Sequence, residues 1–258
     1  MDAIVTAGGI PQPGDPLYEY TQGKPKAMLE ICDKPMIQWV LDALCGAKNV
    51  ERIVIIGLPA DCGVTCDKIA AFLPNQGGML HNIRAGMHKV HELNPQSKHL
   101  VTVSSDIPSI TSEMVDWAIE TAMQSDDDAY YNVITRQAME KRYPSSKRSY
   151  VRFKDLQVCG GDMNVIRTMI GTENDATWER LIEARKNALK QAALIGFDTM
   201  FLVLFHLITL EGAVKLASKR LKLKGRAIVC PYAEIGMDVD KPFQLEIIRA
   251  DLAKRITV

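Results

Sequence analysis

Three groups of residues in this chain have the types and spacing of phosphate and cation chemistry. An apolar run, Ala3-Ile4-Val5-Thr6, breaks into Ala7-Gly8-Gly9 and a polar loop that ends in Lys24-Pro25-Lys26. Paired glycines after a strand let backbone N–H groups approach an anion, and lysines at the far end of the same loop add positive charge. Downstream stand two acidic points: Asp106 in Ser104-Ser105-Asp106-Ile107-Pro108, and the pair Asp238 and Asp240 in Gly236-Met237-Asp238-Val239-Asp240. Basic groups for phosphates and carboxylates for a hard cation together point to metal-assisted chemistry on a nucleoside triphosphate.

Each group also has a plainer reading. Gly8-Gly9 serves equally as a tight turn between strand and helix, and neither G-x-G-x-x-G nor G-x-x-x-x-G-K-[S/T] is present. Lys24 and Lys26 resemble surface lysines, although Pro25 stiffens the segment and Ala27-Met28-Leu29 re-enters the core, which anchors Lys26. Asp106 and Asp240 are residues that cap helices or close turns. Taken together the two acidic points say more, because magnesium takes one or two protein carboxylates and fills its other positions with water and phosphate oxygens. The five histidines, His81, His88, His91, His99 and His206, form no cluster along the chain.

The elements that must position these residues come from a chain of 258 residues, 47% apolar, enough for one large core. Its 31 basic and 31 acidic residues cancel, so no strongly basic surface argues for nucleic acid. The six cysteines are dispersed in apolar runs, a reduced, cytoplasmic pattern; Cys62 and Cys66 form a lone C-x3-C, a weak zinc signal. No signal peptide or transmembrane segment is expected: the most apolar stretch, 192–210, is interrupted by Asp198 and His206 and reads as buried helix, with peripheral membrane contact as the alternative.

Strands are expected at 3–6, 52–57, 99–104, 129–135 and 226–230, with helices from Pro35, over 67–72, from Met79 to about Glu92, from Ser112 and from Pro242. In the closing helix Leu245, Ile248, Leu252 and Ile256 share one face. Two short strands around Lys154-Asp155 add an antiparallel piece, and 177–221 reads as a helical insertion or cap. The alternation predicts a single α/β domain over 1–258, a three-layer, mostly parallel Rossmann-like sheet with its ligand crevice at the carboxyl ends of the strands.

Ala7-Gly8-Gly9, Lys24-Pro25-Lys26-Ala27-Met28-Leu29, Asp33-Lys34-Pro35-Met36-Ile37, Ser105-Asp106-Ile107-Pro108 and Asp238-Val239-Asp240-Lys241-Pro242, in this order, resemble the MobA-like nucleotidyltransferases. These are related to sugar-phosphate nucleotidylyltransferases and molybdenum-cofactor guanylyl- and cytidylyltransferases. The resemblance implies a GT-A-like nucleotide-diphospho-sugar transferase fold, with Ala7, Gly8 and Gly9 at the triphosphate and Lys26 on the phosphate under attack. Lys24 is the candidate for neutralising further triphosphate charge, and the resemblance implies Mg2+ on Asp106 and Asp240, with Asp238 beside them. Gln76, Gly77 and Asn82 would read the nucleotide, and Gly160, Gly161 and Asn164 would face the acceptor. The implied partners are a nucleoside triphosphate and a small phosphorylated acceptor.

One departure stands out: relatives carry an arginine shortly after the glycines, and residues 10–23 here contain none. Triphosphate charge must then be neutralised elsewhere. Two other readings remain at this point: a nucleotide-sugar-dependent glycosyltransferase using Asp238-Val239-Asp240 as its Asp-x-Asp motif, and a nucleotide-binding regulatory module with little turnover.

Overall fold

The computed structural model describes residues 1–173, Trp178 and 196–256. The amino-terminal half is a parallel sheet of β1 (Asp2–Thr6), β4 (Arg52–Ile56), β5 (Ile69–Leu73) and β6 (His99–Ser104), ordered β5-β4-β1-β6. Between β1 and β4 lie α1 (Tyr18–Thr21), a small hairpin of β2 (Glu30–Ile31) and β3 (Lys34–Pro35), and α2 (Met36–Gly46).

Period-two alternation in β1 sets the layers. Ala3 and Val5 point to one side, where Ile37, Val40, Leu41 and Leu44 of α2, Val115 and Ile119 of α4 (Ser112–Ala122), and the closing helix pack. Ile4 points to the other side, onto Met87 and Val90 of α3 (Met79–Leu93). A Cβ at Gly86 would lie 2.8 Å from Ile4, so α3 rests directly on β1. Both faces are covered, which is why β1, β4 and β6 read as continuous apolar runs.

The second half turns antiparallel. β7 (Ala129–Thr135), α5 (Arg136–Arg142), β8 (Val151–Arg152), β9 (Gln157–Gly160), β10 (Met163–Arg167) and α6 (Met169–Glu173) follow in the chain. β10 inserts between β6 and β7 and runs antiparallel to both, while β9 and β8 extend the sheet beyond β7. After α7 (Phe197–Leu204) and α8 (Leu210–Leu221), β11 (Gly225–Cys230) pairs in parallel with β7, and α9 (Pro242–Ile256) closes the chain. Among the described residues the sheet has nine strands, with helices on both faces, the α/β layering expected from the alternation of elements. The expected antiparallel addition around Lys154-Asp155 is the β8–β9 hairpin. Of the helical segment expected over 177–221, Trp178, α7 and α8 are described, and 177 and 179–195 lie outside the described residues.

Two expectations need correction, and one strand was not expected at all. Residues 67–72 are not a helix: Ile69–Leu73 is β5, because a parallel partner at the edge of β4 outweighs the local preference of Ala70-Ala71. Strand β10 had no separate signal, being five residues inside a glycine- and asparagine-containing stretch. Ile256, placed with the buried face of α9, is 59% exposed because the helix runs past the core that holds Leu245, Ile248 and Leu252.

Candidate functional site

The carboxyl ends of β1 and β6 open into a cavity of about 640 Å³, lined among others by Gly8, Gly9, Lys26, Gly77, Asn82 and Asp106. The Gly8 turn is shaped from both sides. Gly57, at φ +106°, follows β4, and a Cβ there would stand 2.4 Å from the Gly8 backbone; only glycine lets the two segments cross so closely. A Cβ on Gly8 itself would meet Asn75 and Asn82 at 2.8 Å.

Those asparagines tie the turn to α3. Asn75 Nδ2 donates to the Gly8 carbonyl at 2.8 Å, and its Oδ1 accepts from the Gly77 amide at 3.0 Å. Asn82, 4% exposed, accepts from the Gln76 amide at 2.7 Å and donates to Asn75 at 3.2 Å. Gln76 thus contributes its backbone, and its side-chain amide donates to the Pro74 carbonyl. The first intrahelical bond of α3 runs from the Asn82 amide to Gly78, so the amides of Met79, Leu80 and His81 precede it at a helix N-terminus that lines the cavity.

On the opposite wall the Lys26 amide donates to the Gly9 carbonyl at 2.8 Å, folding the lysine segment back onto the glycine turn. The late acidic motif arrives through the Val239 amide, which donates to the Asp106 carbonyl at 2.9 Å. Lys26 Nζ then lies 2.6 Å from Asp106 Oδ2 and 2.7 Å from Asp240 Oδ1. Burial works against the Lys26 charge, but the Asp106 and then the Asp240 carboxylate outweigh it and raise the ammonium to about 12.

A third carboxylate joins them. Antiparallel pairing of β10 with β6 sets Asp162 beside the end of β6, its carbonyl accepting from the Ser104 amide at 2.9 Å. Burial, followed by the negative charge of Asp106, pushes the Asp162 carboxyl up to about 7; Asp240 adds to the push, and Arg148 and Lys26 oppose it. Asp106 Oδ1 and Asp162 Oδ2 are both buried without a hydrogen-bond partner. Orphaned buried carboxylate oxygens are costly in isolation, and oxygen donors of this kind are the type a hard divalent cation takes.

The other expected residues fall elsewhere. Asp238 is buried with its carboxylate paired to the Arg148 guanidinium, so it enters the site as half of an ion pair. Lys24 is exposed and does not line the cavity. Ala7 is buried and its amide donates to the Ile56 carbonyl, which spends that N–H on the sheet. Asn164 accepts from the Asn132 amide at 2.8 Å and donates to the Gly161 carbonyl at 3.0 Å, bracing the turn of Gly160 and Gly161 against β7. Asp162, Arg148, Asn75 and Gly57 were not singled out from the sequence; Asp162 alone carried a signal, as the acidic residue after a Gly-Gly pair.

Cys66 meets Cys45 and Asp67 rather than forming a C-x3-C pair with Cys62. Burial, and next the hydrogen bond with Cys45, pushes the Cys66 thiol up to about 12, so it stays protonated at neutral pH. Among the described residues no helix is long and apolar enough to cross a membrane.

A parallel sheet ending in a glycine turn, a helix N-terminus and a lysine among carboxylates is an α/β arrangement with a polar crevice at the carboxyl ends of its strands. Residues 4–167 match the model of the MobA-like NTP transferase domain, and the chain belongs to that family. A solved hypothetical transferase from Thermus thermophilus is 28% identical, with a TM-score of 0.81 over 95% of this chain and 98% of that one. The fold is shared with a CMP:2-keto-3-deoxy-manno-octonic acid synthetase complexed with CTP (16% identity, TM-score 0.61, covering 99% of this chain and 98% of that one). It is shared as well with a 4-diphosphocytidyl-2C-methyl-D-erythritol synthase from Anaerococcus prevotii (13% identity, TM-score 0.59, covering 98% and 95%). A search of curated protein sequences returned no match.

Proposed function

We propose that this protein is a Mg2+-dependent nucleotidyltransferase that moves a nucleoside monophosphate from an NTP to a phosphorylated acceptor. The observation that carries this reading is Lys26 held between Asp106 and Asp240 at the edge of a cavity whose other walls are Gly8-Gly9 and the start of α3. An oxygen of the acceptor phosphate forms the new bond to the α-phosphorus. The bond from that phosphorus to the bridging oxygen breaks, and its electron pair leaves with pyrophosphate. A phosphomonoester is already anionic near neutral pH, so no side chain need act as nucleophile or general base.

The protein's contribution is position and charge. Amides of the glycine turn and of Met79 to His81 receive triphosphate oxygens, which offsets the missing arginine. Lys26 lies where negative charge builds on the α-phosphate. Asp106, Asp240 and Asp162 would hold Mg2+, which when bound screens the phosphates from one another and from the carboxylates. The Asp-x-Asp glycosyltransferase reading fits less well, since Asp240 reaches Lys26 while Asp238 is committed to Arg148.

The test is pyrophosphate release from each of the four common NTPs with Mg2+ across a panel of phosphorylated acceptors. Release with one NTP that depends on the acceptor supports the reading; nucleotide binding without release across the panel, or sugar transfer from a nucleotide sugar, opposes it.

A further inference from the structure

We infer that the acceptor is a phosphomonoester of an apolar chain, an alkyl- or prenyl-type phosphate, whose chain enters a second cavity behind the carboxylate cluster. This rests on the nucleotidyl-transfer reading and names the other substrate. The cavity, about 360 Å³, lies between α8 and the sheet face of β7, β9 and β11. Leu210, Val214, Ala217 and Leu221 recur along one side of α8 and line it, facing Val133 and Ala227. That volume is within the range of small-molecule pockets. A lining so apolar offers little to a sugar or a nucleobase, whose hydroxyls and amides would be buried unpaired.

Tyr131 and Gly160 are both in its lining, and Gly160 stands two residues before Asp162 at the reaction site. A Cβ at Gly160 would lie 2.2 Å from the Tyr131 hydroxyl, so the phenol packs directly on that turn. The apolar lining thus begins two residues along the chain from Asp162, and the alkyl chain of an acceptor whose phosphate sits beside Asp162 and Lys26 would run into it at Gly160.

The surrounding surface has the same character. The α7–α8 connection docks on the β8–β9 hairpin through the Lys154 amide to Ile208 carbonyl bond, 2.9 Å, and the Leu210 amide to Asp155 bond, 3.0 Å. Next to it Met200, Phe201, Leu204, Phe205 and Leu207 are each between 48% and 69% exposed. An apolar chain longer than the cavity meets apolar surface on that side.

The experiment measures n-butyl, n-hexyl and n-octyl phosphate below their micellar concentrations, by calorimetric Kd and by KM with NTP, beside NTP affinity. Affinity should rise about fourfold per methylene until the cavity is full, the ratio equivalent to about 0.8 kcal/mol per buried CH2. Ala217→Trp, or the milder Ala217→Leu, should flatten that series and leave NTP affinity unchanged. A Kd independent of chain length, or a series that Ala217→Trp does not alter, overturns the inference. NTP binding separates the two claims: failure of all NTPs to bind removes the transfer reading itself. Pyrophosphate release with a polar phosphate and a flat alkyl series removes only the apolar acceptor.

Discussion

Lys26 and Asp240 are 214 residues apart in the chain, and their Nζ and Oδ1 atoms meet at 2.7 Å. Two backbone bonds impose the meeting, one from the Lys26 amide to Gly9 and one from the Val239 amide to Asp106. The ion pair is a product of sheet geometry, and its lysine is aimed before any substrate arrives. That pre-aiming is what electrostatic catalysis requires.

Lys26→Ala should lower turnover by about 10²-fold or more, the usual loss when one preorganised electrostatic contact to a transition state is removed. The variant also leaves the Asp106 and Asp240 carboxylates without their cation, so its melting temperature should fall in EDTA and recover with Mg2+ more than that of the wild type. Steady-state kinetics and thermal melts check both; near-normal turnover in the folded variant removes Lys26 from the proposed chemistry.

Asp162 gives a pH signature in metal-free protein. Its carboxyl titrates near 7 in the folded state against about 4 unfolded, so between those values the folded state binds the extra proton. Stability from this group is therefore lost as pH rises from about 4 to 7 and stays lost above. Asp162→Asn should melt higher than the wild type at pH 8 in EDTA, by at least about 2–4 °C per kcal/mol recovered, with the difference vanishing near pH 4. A gain that is the same at both pH values would contradict the raised pKa.

Gly57→Ala should damage the nucleotide site from behind. Its Cβ would press on the Gly8 backbone and its φ is one that alanine rarely adopts, together a cost of at least about 1–2 kcal/mol. The melting temperature should fall and NTP affinity should fall with it. A folded variant with unchanged NTP affinity would show that the Gly8 turn is not shaped by this contact.

Much of the site was legible because its parts are local. Gly8-Gly9, Lys26 and Asp106 each follow a strand or re-enter the core in a way the neighbouring residues reveal, and Asp240 precedes a helix whose Leu245, Ile248 and Leu252 recur at helical spacing. What the sequence hid depends on pairings between distant segments. Asp162 reaches Asp106 only because β10 runs antiparallel between β6 and β7, and a five-residue strand after two glycines has no periodic signal of its own. Asp238, expected beside Asp106 and Asp240, is engaged instead by Arg148, a partner 90 residues away in the chain. Ile69–Leu73 was misread because Ala70 and Ala71 suit a helix, whereas an edge of β4 was waiting to be paired.

Asn82→Leu should separate binding from chemistry. It strands the Gln76 amide and one donor-acceptor pair with Asn75, at about 1–3 kcal/mol for a buried group left unpaired. KM for NTP should rise about tenfold or more while kcat changes less, since Asn82 holds the turn and touches no reacting bond. Equal loss in kcat with KM unchanged would argue for a direct part in the reaction.

The central claim is that NTP and Mg2+ share the cluster of Lys26, Asp106 and Asp240. Calorimetric titration with ATP, GTP, CTP and UTP, each with Mg2+ and with EDTA, on the wild type and on Asp106→Asn tests it most directly. The account predicts that one nucleotide binds the wild type tightly only with Mg2+, and that Asp106→Asn abolishes this dependence. Absence of binding by all four at millimolar concentration, or Mg2+-dependent binding that survives unchanged in Asp106→Asn, would contradict it.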